Sequence, residues 1–192
     1  GKFPEFVIDP EFSQVSPKHT KARKTLADKL LTAAKLLPTG HKFLIFEAFR
    51  PLAVQDQFFQ EYQDVLAQAH PDWDADRLYK ETCVYIADAA VFPPHSTGGA
   101  VDLTIVDGQG KQLDMGTKLN GTPHETDNAC FTDAENISDG AKHNRQILIK
   151  ALSQVGLVNY VYEWWHWSYG DRYWAYHSGA QAALYGSIKD ND

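Results

Sequence analysis

The spacing of apolar positions puts most of the helices early in this chain and concentrates strands in its second half. Apolar residues at Ala22, Leu26, Leu30, Ala33, Ala34 and Leu37 lie on one face of an amphipathic helix that stops at Pro38-Thr39-Gly40. Ser16-Pro17 offers an N-cap followed by proline in the first turn, so the helix is predicted to begin there. The run from Lys42 to Phe49 is almost wholly apolar and bounded by turn residues, the pattern of a buried strand ending at Arg50-Pro51. Pro51 then starts a second helix, with Phe58, Tyr62, Val65, Leu66 and Ala69 on one side as far as His70-Pro71. A third helix is predicted over about 74–90, closed by Pro93-Pro94.

The second half changes period. From Ala100, Val101, Leu103 and Ile105 share one face of a strand while Ala100, Asp102 and Thr104 share the other. Val106-Asp107-Gly108-Gln109-Gly110 has hairpin chemistry and sends the chain back through Lys111 to Met115. Residues 116–138 lack periodicity, and a loop of that length in a compact domain usually walls or covers a site. Ser138 caps a fourth helix, supported by Ile147, Leu148, Ala151, Leu152 and Val155 and ended by Gly156. A last strand is predicted from Leu157 to Tyr162, running into Glu163-Trp164-Trp165-His166-Trp167. The expected architecture is α+β, a single domain over residues 1–192 with a mainly antiparallel sheet and flanking helices.

Composition narrows the function classes. A chain of 192 residues buries roughly 70% of its unfolded surface in one core, so no metal or disulfide is needed to hold it folded. Net charge is -7, with 18 basic residues scattered along the chain, which argues against nucleic acid or an anionic membrane as partner. No apolar run is long enough to span a bilayer, and Gly1-Lys2-Phe3-Pro4 lacks the features of a signal peptide. Cys83 and Cys130 have neither metal-ligand nor redox spacing and are expected to be free thiols in a reducing cytoplasm, a periplasmic location staying open.

Candidate chemistry concentrates in two stretches. His95 and Asp102 flank Gly98-Gly99, where a sharp turn lets a loop histidine and a strand aspartate converge. With His166 they make the two-imidazole, one-carboxylate set that catalytic zinc uses, leaving a position open for water or substrate. Glu163 would face away from His166 on a regular strand, so an irregular backbone is expected there, bringing a general base within reach of the metal. Trp164, Trp165 and Trp167 would exclude solvent and strengthen the electrostatics inside. Each of these residues alone has a simpler reading: a satisfied histidine, a strand-edge aspartate, core tryptophans, a solvated glutamate.

Taken together, His95-Ser96-Thr97-Gly98-Gly99-Ala100-Val101-Asp102-Leu103-Thr104 and Glu163-Trp164-Trp165-His166-Trp167 resemble the zinc D-alanyl-D-alanine dipeptidases, the family that includes the vancomycin-resistance dipeptidases. Phe49-Arg50-Pro51, Asp114-Met115-Gly116-Thr117 and His143-Asn144-Arg145 agree with the resemblance in the same order. It implies a zinc D,D-peptidase/Hedgehog-type fold, one zinc ion on His95, Asp102 and His166, Glu163 as general base, and Arg50 stabilising the oxyanion. It also implies a small peptide substrate, with Asn120, Trp164 and Trp165 as candidate contacts.

The chain departs from the family pattern at two positions. Pro93 stands where a serine usually precedes the first histidine ligand by two residues, and Asn120 where an aspartate usually meets the substrate ammonium; Glu125, Asp127 or Asp133 could supply that charge instead. These departures keep a second substrate class in view, a D,D- or L,D-carboxypeptidase or dipeptidase on other peptidoglycan-derived peptides. A non-catalytic zinc module binding glycan or protein through the aromatic tail from Trp164 to Tyr176 is the reading from another class. It would need a fourth protein ligand, such as His124, His143 or His177.

Overall fold

The computed structural model describes residues 3–14, 16 and 18–189. Five strands form one mixed sheet: β1 (Phe6–Ile8), β2 (Lys42–Glu47), β3 (Ala100–Val106), β4 (Val158–Asn159) and β5 (His166–Ser168), in the order β1-β2-β3-β5-β4. Only β1 and β2 run parallel, and the other three pairings are antiparallel. Five α-helices accompany the sheet: α1 (Lys24–Ala34), α2 (Leu52–Ala69), α3 (Ala75–Tyr85), α4 (Asp139–Ser153) and α5 (Arg172–Ser178). The architecture is therefore α+β, as the order of helical and strand patterns predicts. No helix is long and apolar enough among the described residues to cross a membrane.

The two faces of β3 do different work. Val101, Leu103 and Ile105 enter the main core with Phe43 and Ile45 of β2, Leu26 and Leu30 of α1, and Leu148 and Leu152 of α4. On the opposite face, Thr104 and Val106 lie beside Leu44 and Phe46, with Phe12 and Leu119 packed over them. Asp102 belongs to that second face by strand alternation. The β2–β3 register shifts between Ile45 and Glu47, so Glu47 comes opposite Asp102. Such a bulge re-aims a side chain at the end of a strand.

Several boundaries differ from the sequence pattern. The first helix starts at Lys24 rather than Ser16, and Pro17 lies outside the described residues. Residues 18–23 are instead tied to other parts of the chain: His19 accepts from the Ala48 amide, while Arg23 donates its amide to Gly98 and its Nε to Thr97. Tertiary bonds override helix periodicity there. The third helix stops at Tyr85; Asp88 caps a separate 3-10 turn over Ala89–Val91, and Pro94 opens another rather than closing a helix. The predicted 157–162 strand shrinks to Val158–Asn159, since Tyr160 and Glu163 enter a tight turn. The return from the 107–110 turn is a single bridge between Val106 and Gln112. β1 and α5 carry no strong periodic signal, although Asp171 at the N-cap and Gly179 in a left-handed conformation bound α5 as a cap and a stop should.

Candidate metal centre and active site

Strand pairing brings two of the candidate ligands together. Asp102 of β3 is the cross-strand partner of His166 of β5, so their side chains leave the same face of the sheet. His166 Nδ1 lies 3.0 Å from Asp102 Oδ1. His95 comes from the 3-10 turn Pro94–Thr97, which Gly98, at φ +69°, joins to β3. His95 Nε2 sits 3.2 Å from Asp102 Oδ2 and 3.1 Å from His166 Nδ1. All three residues are buried.

Those spacings test whether an ion fits. Three ligands at the bond lengths zinc uses, arranged tetrahedrally, have donor atoms about 3.3 Å apart; the three side chains approach one another at 3.0, 3.1 and 3.2 Å, with the two histidines meeting different oxygens of Asp102. The donor types fit as well, two imidazole nitrogens and a carboxylate oxygen. Orientation agrees: His95 Nδ1–H donates to the Ala48 carbonyl at 2.8 Å, leaving the Nε2 lone pair for the centre. Among the described residues, His95, Asp102 and His166 are the one group of three or more potential ligand side chains close enough to share an ion.

The electrostatics follow from burial and pairing. Burial disfavours charge on Asp102, yet the His95 and His166 rings outweigh it and hold the carboxyl far below its usual range. Burial likewise opposes protonation of His166, but its hydrogen bond and charge interaction with Asp102 hold the ring above its ordinary value. Glu163 Oε2 is 3.9 Å from His166 Nδ1 on a half-buried side chain. Its main perturbation is burial, which pushes the carboxyl upward. The turn that puts it there has the His166 amide donating to the Glu163 carbonyl and the Glu163 amide to Tyr160.

Arg50 is held stiffly. Its Nε and Nη2 grip the two oxygens of Glu47, and Nη1 donates to Gln55 Oε1 at 2.9 Å. Gln55 is fixed in turn by the Ala87 carbonyl at 2.7 Å. Burial works against the guanidinium's charge, but Glu47 more than restores it, so the cation is reinforced. Sequence reasoning missed Glu47 and Gln55. One signal was available: a glutamate inside an apolar strand has to be paired, and Arg50 lies three residues on.

The other candidates divide. Trp164 donates its indole N–H to Thr117 Oγ1 and lines a cleft of about 510 Å³ whose wall includes Thr104, Thr117, Lys118, Leu119 and Phe12. Trp165 and Trp167 are buried in the main core, so neither walls that cleft. Asn120 is exposed in a left-handed conformation next to the cleft-lining Leu119. The 116–138 loop is organised by Arg145 of α4, whose guanidinium donates to the carbonyls of Met115, Ala129, Phe131 and Thr132. Its burial without a carboxylate partner lowers its pKa to about 10.

Two histidines and an aspartate whose donor atoms converge, with a second carboxylate beside them, are the residue set of a metal-dependent hydrolase. The chain belongs to the D-ala-D-ala dipeptidase family of metallopeptidases, whose family profile matches residues 14–181. It is 29% identical over 175 residues to a D-alanyl-D-alanine dipeptidase of Synechocystis sp., an alignment covering 82% of this chain and 70% of that protein. It is 32% identical over 148 residues to a D-alanyl-D-alanine dipeptidase of Escherichia coli, covering 77% of this chain and 64% of the relative.

Proposed function

We propose that residues 1–192 act as one zinc peptidase domain that hydrolyses D-alanyl-D-alanine. His95, Asp102 and His166 hold one ion, Glu163 is the general base, and Arg50 faces the developing oxyanion. The observation that carries the reading is the convergence of His95 Nε2, His166 Nδ1 and the two carboxylate oxygens of Asp102, with contacts of 3.0–3.2 Å. A zinc ion there would supply Lewis acidity, easing deprotonation of water and polarising the scissile carbonyl. Glu163 accepts the proton of the attacking water and returns it to the leaving amine, a task suited to a carboxyl raised by burial. Arg50 has five N–H donors, of which Glu47 and Gln55 engage three. The remaining two belong to a cation already fixed in place, which stabilises developing charge without reorganising. The substrate comes from the two relatives, both named D-alanyl-D-alanine dipeptidases.

The test is release of D-alanine from D-alanyl-D-alanine by zinc-reconstituted protein and by Glu163→Gln. Loss of the base is expected to lower turnover by about 10²–10⁴-fold while zinc stays bound. Equal rates would reject the assignment.

The cleft supports a second reading. Its wall includes Thr104, two residues beyond Asp102 on the same strand face, and its volume has room for a longer peptidoglycan-derived peptide. Faster cleavage of an N-acylated dipeptide than of the free-amine form would select that reading.

A further inference from the structure

We propose that the segment Leu184–Ile188 is a strap that positions His95, with Tyr185, Ser187 and Ile188 as positioning residues. The inference rests on the triad being a metal site, and it concerns how the third ligand is held. Asp102 and His166 are fixed by strand pairing, but His95 sits on a 3-10 turn joined to β3 through Gly98 and Gly99. On its inner flank that turn is tied to the end of β2: His95 Nδ1 donates to Ala48, and the Arg50 amide donates to the His95 carbonyl. Its outer flank is held by Arg23 and by the strap.

The strap contacts are specific. The Ile188 amide donates to the Ser96 carbonyl at 2.8 Å, next to the ligand in sequence. Ser96 Oγ gives its single proton to the Pro93 carbonyl, so the Ser187 hydroxyl, 2.6 Å away, is the donor in their pair. Tyr185 lies over the Arg23 guanidinium, 5.0 Å from its ring centroid, and Arg23 holds Thr97 and Gly98. The strap is anchored at its own start by the amides of Leu184 and Tyr185, which both donate to the Gly170 carbonyl. Gly170 is at φ +81°, and a β-carbon there would lie 2.5 Å from the Tyr185 ring. A glycine at this point is what lets the ring close over the turn. Under the strap Ser96 and Thr97 are almost wholly buried. The strap lies beyond residues 14–181, where the family profile ends.

The experiment uses the full chain with Ile188→Pro, which deletes one N–H, and Ser187→Ala, which deletes one hydroxyl. Ser187→Thr is the conservative rescue and Tyr176→Ala, on the surface, the control. Zinc affinity is measured by competition with a chromophoric chelator, and amide hydrogen exchange is measured on the metal-free protein. Both deletions are expected to weaken zinc binding by up to about tenfold, the lower end of what losing a direct partner of a ligand costs, because they act on Ser96 beside the ligand. Gly98 and Gly99 should then exchange about tenfold faster or more while β3 keeps its protection, and Ser187→Thr should bind zinc like the parent. If either deletion folds with β3 protection intact yet binds zinc as tightly as the parent and exchanges Gly98 and Gly99 no faster, the strap has no positioning role. If the parent protein binds no zinc, the metal reading fails and the exchange comparison alone decides the strap: faster exchange sustains it and unchanged exchange overturns it.

Discussion

Replacing Glu47 by glutamine tests whether the cation beside the centre depends on a buried partner. Glu47 is fully buried and the Arg50 side chain is 16% exposed, so their pair is shielded from solvent. Glutamine keeps the volume and one acceptor but turns the other oxygen into an amide that points N–H groups at the guanidinium. Breaking a buried pair from one side costs about 3–5 kcal/mol, because a charge is left without compensation. Gln55 still accepts from Arg50, so the lower end, about 3 kcal/mol, is the expected loss. For a domain of this size, each kcal/mol lowers Tm by about 2–4 °C, so Tm should fall by roughly 6–12 °C.

Thermal unfolding followed by circular dichroism measures the loss, and a double-mutant cycle isolates its cause. Glu47→Gln with Arg50→Met should recover part of the lost stability, since removing the guanidinium as well leaves no orphaned charge. Activity should behave differently, with both the single and the double variant slow because the guanidinium is either misdirected or gone. A Tm within about 2 °C of the parent, with the double variant no more stable than the single, would refute the claim that this pair is what holds the cation.

Arg145→Met should cost about 3 kcal/mol or more by stripping a charged donor from four buried carbonyls; limited proteolysis should cut first within residues 116–138, and a cut elsewhere would contradict the anchoring role. Zinc affinity should weaken by about tenfold per pH unit below the raised pKa of His166, because the ion must displace that proton; a dissociation constant unchanged between about pH 8 and 5 would refute it. In the metal-free protein, the raised His166 contributes stability fully present below about pH 6.5 and lost as pH rises through its folded pKa. The depressed Asp102 contributes stability present above about pH 3.9 and lost as pH falls through its folded pKa. The Tm of the metal-free form should therefore peak between these limits, while that of the zinc form keeps rising toward neutrality.

Much of the scaffold is legible in the sequence because it is encoded locally. Ser138 caps α4 by accepting from the Ala141 amide, Pro51 opens α2, and the apolar runs of β2 and β3 are buried as their composition demands. The failures occur where partners distant in sequence decide the conformation. β1 is three residues long with two of them exposed, and it exists because β2 offers a parallel edge. Residues 18–23 have helical periodicity but spend their hydrogen bonds on Ala48, Thr97 and Gly98. At the site, the residue types of the triad point to metal chemistry, whereas the supports are backbone atoms such as the Ala48 carbonyl, which no motif records. The tryptophans mislead for a related reason: Trp164 and Trp165 are adjacent in sequence, but only Trp164 reaches the cleft.

The same distinction between ligands and supports explains what Pro93 does. A serine at that position would present a hydroxyl and an N–H close to the metal turn, and proline presents neither. Its carbonyl is committed too, because it accepts both the Ser96 amide at 3.0 Å and the Ser96 hydroxyl at 2.6 Å. Both lone pairs of that oxygen are used to close the turn that carries His95. Pro93 therefore has no polar group left for a substrate, and its fixed φ favours the turn itself. Asn120, next to the cleft-lining Leu119, carries no charge where the family pattern has an aspartate. The carboxylates on the cleft wall are those of Asp9 and Glu11. The two departures from the family pattern thus leave the donor atoms of the triad, Glu163 and the Glu47–Arg50 pair in place.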